Sequence, residues 1–203
     1  MFKRTTGLQY APEYKPKPIN PNQLKGLLSA SYQRNGKARE TGSKVGYKLD
    51  DSLSNSEHKV FTDDNNNPYV AFTGSRKAGD FLISDTALAF GLGRFTPRFR
   101  ESKKLMDDVK NKYKNKYVTT VGHSLGGSLA EHVGGNKIIT VNKGVGVGGL
   151  FKNIDRRQTD IRTGSDPVSI LSRTQFGGNK QTIGKTGFLS HTYKHLNKFD
   201  KSI

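Results

Sequence analysis

The pentapeptide GHSLG at positions 122–126 has the residue types of a serine nucleophile held in a tight turn. A serine hydroxyl is a weak nucleophile at neutral pH, so it needs a histidine base, and that base needs a carboxylate to orient it. Glycines at Gly122 and Gly126 remove the Cβ atoms that would collide if the chain turned sharply at Ser124. These residues therefore predict attack of Ser124 on an acyl carbon, the chemistry of an ester hydrolase.

Such a turn requires a strand before the serine and a helix after it. The β-branched segment YVTTV at 117–121 predicts the strand, and SLGGSLAEHV at 124–133 predicts a helix that ends at the glycine pair 134–135. The helix would direct its N-terminal amides at the oxygen that becomes negative, and Leu125 N–H is one expected donor of this oxyanion hole. The alternative is a glycine turn in which Ser124 is only an N-cap.

Strands and helices alternate along the rest of the chain, which predicts an α/β fold. We expect a compact domain with a mostly parallel central sheet flanked by helices. Upstream of the serine, the sequence predicts a helix over 22–32, two strands around an Asp/Asn-rich turn at 57–75, and a helix over 98–116. The apolar and glycine-rich segment 81–93 predicts a helix or a flap, and KIITV at 137–141 predicts a strand.

These segments resemble the class 3 lipases, the fungal-type lipases of the α/β-hydrolase superfamily. GHSLGGSLAEH at 122–132 is similar to the family's G-H-S-L-G-G-x-x-A turn, and VAFTGSRKAGDFLISD at 70–85 resembles its strand ending in F-R-G-[ST]. IITVNKGVGVG at 138–148 is similar to its T-x-N-x-G-x-x-x-G strand and loop, whereas Thr73 stands where the family commonly has arginine. The resemblance implies an α/β-hydrolase fold, a lipase or phospholipase activity, and a second oxyanion donor at Ser75.

The triad of α/β-hydrolases runs along the chain as serine, then acid, then histidine. Asp166 is the preferred acid after Ser124, because it lies at a turn and its D-P-V segment resembles that of the family, and Asp160 is the reserve. His191 and His195 are the two candidates for the base. We prefer His191, because the residues after it fit the family pattern better.

Positive charge is the strongest feature of the composition, with 34 Lys and Arg residues against 17 Asp and Glu residues and a net charge of +17. Such a field attracts polyanions, which favours an anionic membrane surface as a partner and leaves nucleic acid as an alternative. The second function class is therefore a catalytically silent hydrolase fold that serves as a basic structural or binding protein, including a virion component. A peptidase or a non-lipid esterase would share the same triad.

The first residues differ in composition from the rest. Four prolines and several lysines within 1–21 predict an extended arm that is disordered or docks on a protein partner, and we assign the hydrolase domain to 22–203. The chain has no cysteine, and no segment has the pattern of a secretory signal or of a membrane-spanning helix, so we expect an intracellular or virion location. The histidines are too few and too scattered to predict a metal site, and we expect no cofactor.

Overall fold

The computed structural model describes residues 17–75, 97–145, 149–164, 166, 168–184, 191–198 and 203. Its centre is a seven-stranded sheet whose strands lie side by side in chain order. The strands are β1 (Lys48–Asp50), β2 (His58–Thr62), β3 (Pro68–Phe72), β4 (Thr119–His123), β5 (Lys137–Val141), β6 (Asn153–Thr163) and β7 (Phe176–Ile183). The α-helices of the described residues are α1 (Pro21–Ser31), α2 (Asn35–Ser43), α3 (Pro97–Lys112) and α4 (Leu125–Val133).

The sheet is mostly parallel. Strands β1, β2 and β3 pair antiparallel, and all pairings from β3 to β7 are parallel. The carboxyl ends of β3 to β6 therefore meet at one edge of the sheet, which is where ligands bind in open α/β sheets. The predicted fold class is confirmed: helices flank a mostly parallel sheet in one compact domain.

Apolar side chains cover both faces of the sheet, and β3 shows why. Its residues are all buried, and they alternate between two clusters because successive side chains of a strand point to opposite faces. Tyr69 and Ala71 face a cluster that includes the leucines of α1, whereas Val70 and Phe72 face a cluster that includes the apolar stripe of α3. A strand buried on both faces reads as a nearly continuous apolar run, as PYVAF does.

The helices begin and end close to the predicted positions. The helix expected over 22–32 begins at Pro21, because Asn20 and Gln23 form a capping box in which each side chain accepts a hydrogen bond from the other residue's backbone N–H. The helix expected over 98–116 spans Pro97–Lys112. The segment 81–93 lies outside the described residues. No helix among those described is long and apolar enough to cross a membrane.

The folded part of the chain includes residues that the composition assigned to the arm. Ile19 is 2% exposed and exchanges two backbone hydrogen bonds with Ile203, with N–O distances of 2.7 and 2.9 Å. The domain therefore begins before residue 22, and the two described ends of the chain pair with each other. Residues 1–16 lie outside the described part, and docking of the arm on a partner stays a prediction.

Candidate active site

Ser124 occupies the turn between β4 and α4, in a backbone conformation that side chains rarely adopt. Its φ is 57° and its ψ is −128°. A non-glycine residue in such a region carries strain of about 1–3 kcal/mol, which persists only where the surroundings hold it. The residue is 8% exposed. This is the sharp strand-to-helix turn that a G-x-S-x-G sequence requires.

The two glycines of the motif are in contact across this turn. A Cβ on Gly122 would lie 2.1 Å from the carbonyl oxygen of Gly126, and a Cβ on Gly126 would lie 2.3 Å from the carbonyl oxygen of Phe72. Both neighbours are backbone atoms that cannot rotate away. The turn and the end of β3 can therefore approach each other this closely only because both positions are glycine.

Asp166 and His191 are joined by a hydrogen bond. His191 Nδ1 lies 2.8 Å from Asp166 Oδ1, and the same carboxylate accepts the backbone N–H groups of Val168 at 3.1 Å and Ser169 at 3.0 Å. Asp166 is fully buried. Because a carboxylate only accepts hydrogen bonds, Nδ1 carries a proton, and in the neutral form of the ring the lone pair lies on Nε2. Of the two candidate histidines, His191 is the one whose hydrogen bond to Asp166 the structure shows.

The other candidate acid, Asp160, lies in a buried ion-pair network between α4 and the sheet. Its Oδ2 pairs with Lys143 Nζ at 2.9 Å and with Arg162 at 3.1 Å, and Lys143 also pairs with Glu131 of α4. Burial opposes ionisation of Glu131, but Lys143 and Lys152 outweigh it and lower the pKa of this carboxyl to about 2. Asp160 is therefore a structural acid that ties β6 to the helix after Ser124.

His191 lies against the residue that precedes the nucleophile. The ring centroids of His191 and His123 are 4.7 Å apart, at an interplanar angle of 34°. Buried Asn142, which follows β5, donates its Nδ2 to the backbone oxygen of Thr192 at 3.1 Å and so holds this loop. His191 Nε2 is itself buried and has no hydrogen-bond partner within the described part of the chain, so it is not bonded to Ser124 Oγ.

The loop after β3 approaches the nucleophile from the other side. A Cβ on Gly74 would lie 3.3 Å from Ser124 Cβ and 2.8 Å from the carbonyl oxygen of His123. Ser75, the next residue, is half-buried at the described end of this loop. Leu125 is the first residue of α4, where backbone N–H groups lack partners inside the helix. Both residues expected to form the oxyanion hole are therefore near Ser124: Leu125 follows it in the chain, and Ser75 follows Gly74, which lies close to it.

Thr73 anchors the same loop in place of the arginine that the resemblance leads one to expect. Its hydroxyl donates to the backbone oxygen of Ser31 at 2.6 Å. Arg98, on α3, donates from Nη2 to the backbone oxygen of Thr73 at 2.6 Å. A guanidinium group thus does reach the loop, but it comes from a different element of the fold.

Two residues that sequence reasoning did not single out as functional lie at the centre of these contacts. Tyr32 Oη is 3.1 Å from His123 Nδ1 and also accepts the backbone N–H of Gly74 at 3.1 Å. Asn142 links β5 to the loop that carries His191. For Asn142 the T-x-N-x-G pattern was a usable signal, whereas a tyrosine at the end of a helix carries none.

The overall fold is similar to solved lipase structures. The Lip2 lipase of Yarrowia lipolytica is 14% identical, with a TM-score of 0.50 over 82% of this chain and 80% of that chain. A triacylglycerol lipase of Penicillium expansum is 15% identical, with a TM-score of 0.44 over 86% of this chain and 84% of that chain. The Rhizomucor miehei lipase in its propeptide complex is 14% identical, with a TM-score of 0.46 over 73% of this chain and 61% of that chain. No family model and no curated protein matches the sequence. At such identity, the similarity to the Yarrowia enzyme shows a shared overall fold and no more.

Proposed function

We propose that this chain is a serine hydrolase that cleaves carboxylic ester bonds of lipids through Ser124, Asp166 and His191. The observation that carries the proposal is the hydrogen bond between buried Asp166 and His191 Nδ1, beside the strained turn at Ser124. It leaves Nε2 with a free lone pair, which is the state that a general base needs. The likeness of the motifs to class 3 lipases, together with the shared fold, supports lipase-type chemistry.

In the proposed reaction, Ser124 Oγ attacks the carbonyl carbon of the ester while His191 Nε2 takes the hydroxyl proton. Asp166 holds the ring through Nδ1–H and stabilises the imidazolium ion that forms. The tetrahedral intermediate then expels the alcohol, which receives the proton from Nε2, and the acyl group stays on Ser124. Water activated by His191 hydrolyses this acyl-enzyme and restores the serine.

Backbone amides would stabilise the negative charge on the tetrahedral intermediate. Leu125 N–H is one proposed donor, at the positive end of α4. The N–H of Gly74 is already bonded to Tyr32, so Ser75 N–H is the next amide along the loop and is the second proposed donor. Each donor of this kind contributes about 3 kcal/mol to lowering the barrier.

The hydrogen bond between Ser124 and His191 forms, in this proposal, when substrate binds. Catalytic hydrogen bonds are often long in the absence of substrate and tighten in the reacting complex. The ring of His191 already lies against that of His123, the residue before the nucleophile, with the ring centroids 4.7 Å apart. Asp166 is held by two backbone N–H groups and acts as the fixed point while this hydrogen bond forms.

Charge supports lipid surfaces as the place of action. The net charge of +17 would concentrate the protein on anionic phospholipid, by about 1 kcal/mol for each well-placed basic side chain. We therefore propose anionic phospholipids, alongside triacylglycerols, as substrates. The described basic residues that lie deepest in the site region, Lys143 and Arg162, are paired with acids and do not contribute to this surface field.

A fluorophosphonate probe tests the proposal, because it reacts only with an activated serine. We expect the probe to label the wild-type protein and the wild-type protein to hydrolyse short-chain esters. Ser124→Ala should be neither labelled nor active. Ser128→Ala is the matched control, because Ser128 lies one turn further along α4 and bonds to the backbone oxygen of Gly144. Label that persists in Ser124→Ala, or that is absent from wild type, would contradict the proposal.

The net charge also favours a second candidate function, a silent hydrolase fold that binds a polyanion such as nucleic acid. The same experiment separates the two. An unlabelled wild type that binds DNA with a steep salt dependence, unchanged in Ser124→Ala, is the outcome expected for a binding protein.

A further inference from the structure

Tyr32 connects three parts of the candidate active site that are far apart in sequence. It directly follows α1 and is half-buried. Its hydroxyl lies 3.1 Å from both the backbone nitrogen of Gly74 and His123 Nδ1, and its ring stacks on that of Tyr193 at 5.9 Å and 16°. Gly74 precedes a proposed oxyanion donor, His123 precedes the nucleophile, and Tyr193 is two residues after His191.

Chemistry fixes the direction of one of the two hydrogen bonds. Gly74 N–H can only donate, so the Tyr32 oxygen accepts from it. Burial raises the pKa of Tyr32 to about 12, so the hydroxyl keeps its proton at neutral pH. Burial, together with the neighbouring His191, holds the pKa of His123 well below its ordinary value, so this ring is neutral. Tyr32 donates to His123 Nδ1 in the tautomer that carries the ring proton on Nε2, and it accepts from Nδ1 in the other tautomer.

The contact leaves the loop little freedom. A Cβ on Gly74 would lie 2.4 Å from Tyr32 Oη. The preceding residue, Thr73, is held by Ser31, the residue just before Tyr32. Two consecutive residues at the end of α1 therefore fix two consecutive residues of the loop, and the direction of the next N–H, that of Ser75, follows from this anchoring.

We propose that Tyr32 is a positioning residue, which sets the loop of Gly74 and Ser75 against the turn of Ser124 and the loop of His191. This role rests on the proposed hydrolase function. Tyr32 acts through Gly74 and His123 and touches no reacting atom, so its loss should slow the chemical step and leave substrate binding nearly unchanged.

Tyr32→Phe is the direct test, because it removes the hydroxyl and keeps the ring that stacks on Tyr193. With a short-chain nitrophenyl ester, we expect kcat to fall about 10- to 100-fold while KM changes by less than about twofold, since the oxyanion donor is misdirected rather than removed. The rate of fluorophosphonate labelling should fall by a similar factor. The amide proton of Gly74, which loses its acceptor, should shift upfield in the NMR spectrum.

Tyr113→Phe is the matched control. This variant also loses a hydrogen bond from a tyrosine hydroxyl, which Tyr113 donates to Asp50 Oδ2 at 2.6 Å, in a different part of the fold from Ser124. It should retain wild-type kcat at a similar melting temperature. Gly74→Ala is a second variant, should Tyr32→Phe not fold. Its methyl group would lie 2.4 Å from Tyr32 Oη and 2.8 Å from the carbonyl oxygen of His123, so it should lower kcat at least as much as Tyr32→Phe.

The outcomes separate the two proposals. Suppose that the wild-type protein is labelled, but Tyr32→Phe keeps the wild-type kcat or loses activity only through a higher KM. This result would overturn the role of Tyr32 and leave the hydrolase function standing. Wild type that is neither labelled nor active overturns the hydrolase function, and the role of Tyr32 with it. A fall in kcat that Tyr113→Phe shows equally would also count against Tyr32, because loss of stability alone would then explain it.

Discussion

Replacing Asp166 with asparagine tests the proposed triad with the smallest change in shape. The carboxylate accepts three hydrogen bonds, from His191 Nδ1, Val168 N–H and Ser169 N–H. An amide of the same size has one oxygen that accepts and one nitrogen that only donates. Because Asp166 is fully buried, water cannot substitute for a partner that is lost.

Each orientation of the amide breaks a different contact. With its oxygen toward His191 and Val168, the amide nitrogen faces the N–H of Ser169, and two donors meet. With the amide reversed, Ser169 is satisfied, but the nitrogen faces Val168 N–H and donates to His191 Nδ1. The proton of His191 must then move to Nε2, which removes the lone pair that the mechanism uses.

The two orientations predict both a stability change and a rate change. Each leaves one backbone N–H without an acceptor, which costs about 1–3 kcal/mol of folding free energy. Both remove the negative charge that stabilises the imidazolium ion, and one also fixes the wrong tautomer. We therefore expect kcat to fall about 10⁴-fold, equivalent to about 5.5 kcal/mol of barrier.

Steady-state hydrolysis of a short-chain ester measures this effect, with chemical denaturation to confirm that the variant is folded. Asp155→Asn is the matched control: Asp155 is exposed, pairs with Arg157, and should have wild-type kcat. Activity of Asp166→Asn within about tenfold of wild type, under conditions in which Ser124→Ala is inactive, would refute the assignment of Asp166 as the orienting acid.

Two further predictions concern the elements that hold the site. Gly122→Ala places a Cβ 2.1 Å from the Gly126 oxygen and should lower the free energy of unfolding, measured in urea, by about 3 kcal/mol or more. The control is Gly36→Ala on helix α2, where a Cβ meets nothing within 4 Å, and it should be neutral or stabilising. Equal effects of the two substitutions would contradict the close contact in the turn. The pKa of Glu131 is lowered from 4.5 to about 2, so its charge contributes about 3 kcal/mol of stability above pH 4.5 that is lost as the pH falls toward 2. Glu131→Gln should therefore flatten the acid limb of a stability–pH curve, and an unchanged slope would show that the ion pair with Lys143 is not formed.

The sequence predicted those features that depend on residues close together in the chain. The strand, turn and helix around Ser124 follow from a β-branched run, two glycines and a helical stripe within 117–135. Where a boundary moved, the reason was also local: Asn20, Pro21 and Gln23 form a capping box with proline at the first helical position, which starts α1 earlier than its apolar stripe alone implies.

The choice between Asp160 and Asp166 shows where local reasoning ends. Both follow Ser124 in the chain, as the order of the triad requires. Strand alternation places Asp160 and Arg162 on the same face of β6, where Asp160 pairs with both Arg162 and Lys143. Helix α4 adds Glu131 to this cluster, and the resulting network gives Asp160 a structural role. The spacing of residues along the chain does not reveal the contact between Glu131 and Lys143.

The same limit applies to Tyr32, Asn142 and Arg98. Each acts on the site across more than twenty positions of sequence: Tyr32 on Gly74, Asn142 on Thr192, and Arg98 on Thr73. The T-x-N-x-G pattern marks Asn142 in the sequence, but it does not reveal the residue that Asn142 contacts, and no pattern marks Tyr32 or Arg98. What gives them a role is the packing of α1 and α3 against opposite faces of one sheet, which only the assembled fold defines.

These long-range contacts also explain how the turn at Ser124 can hold its strain. A φ of 57° at a serine is maintained only if the elements on both sides are fixed. Strand β4 lies fourth of seven and is paired on both sides, while Lys143 and Glu131 tie α4 to the sheet. The motif thus defines the shape of the turn, but its rigidity comes from residues outside the motif. The turn of Ser124, the loop of His191 and the oxyanion loop therefore all depend on anchors that lie outside the motif.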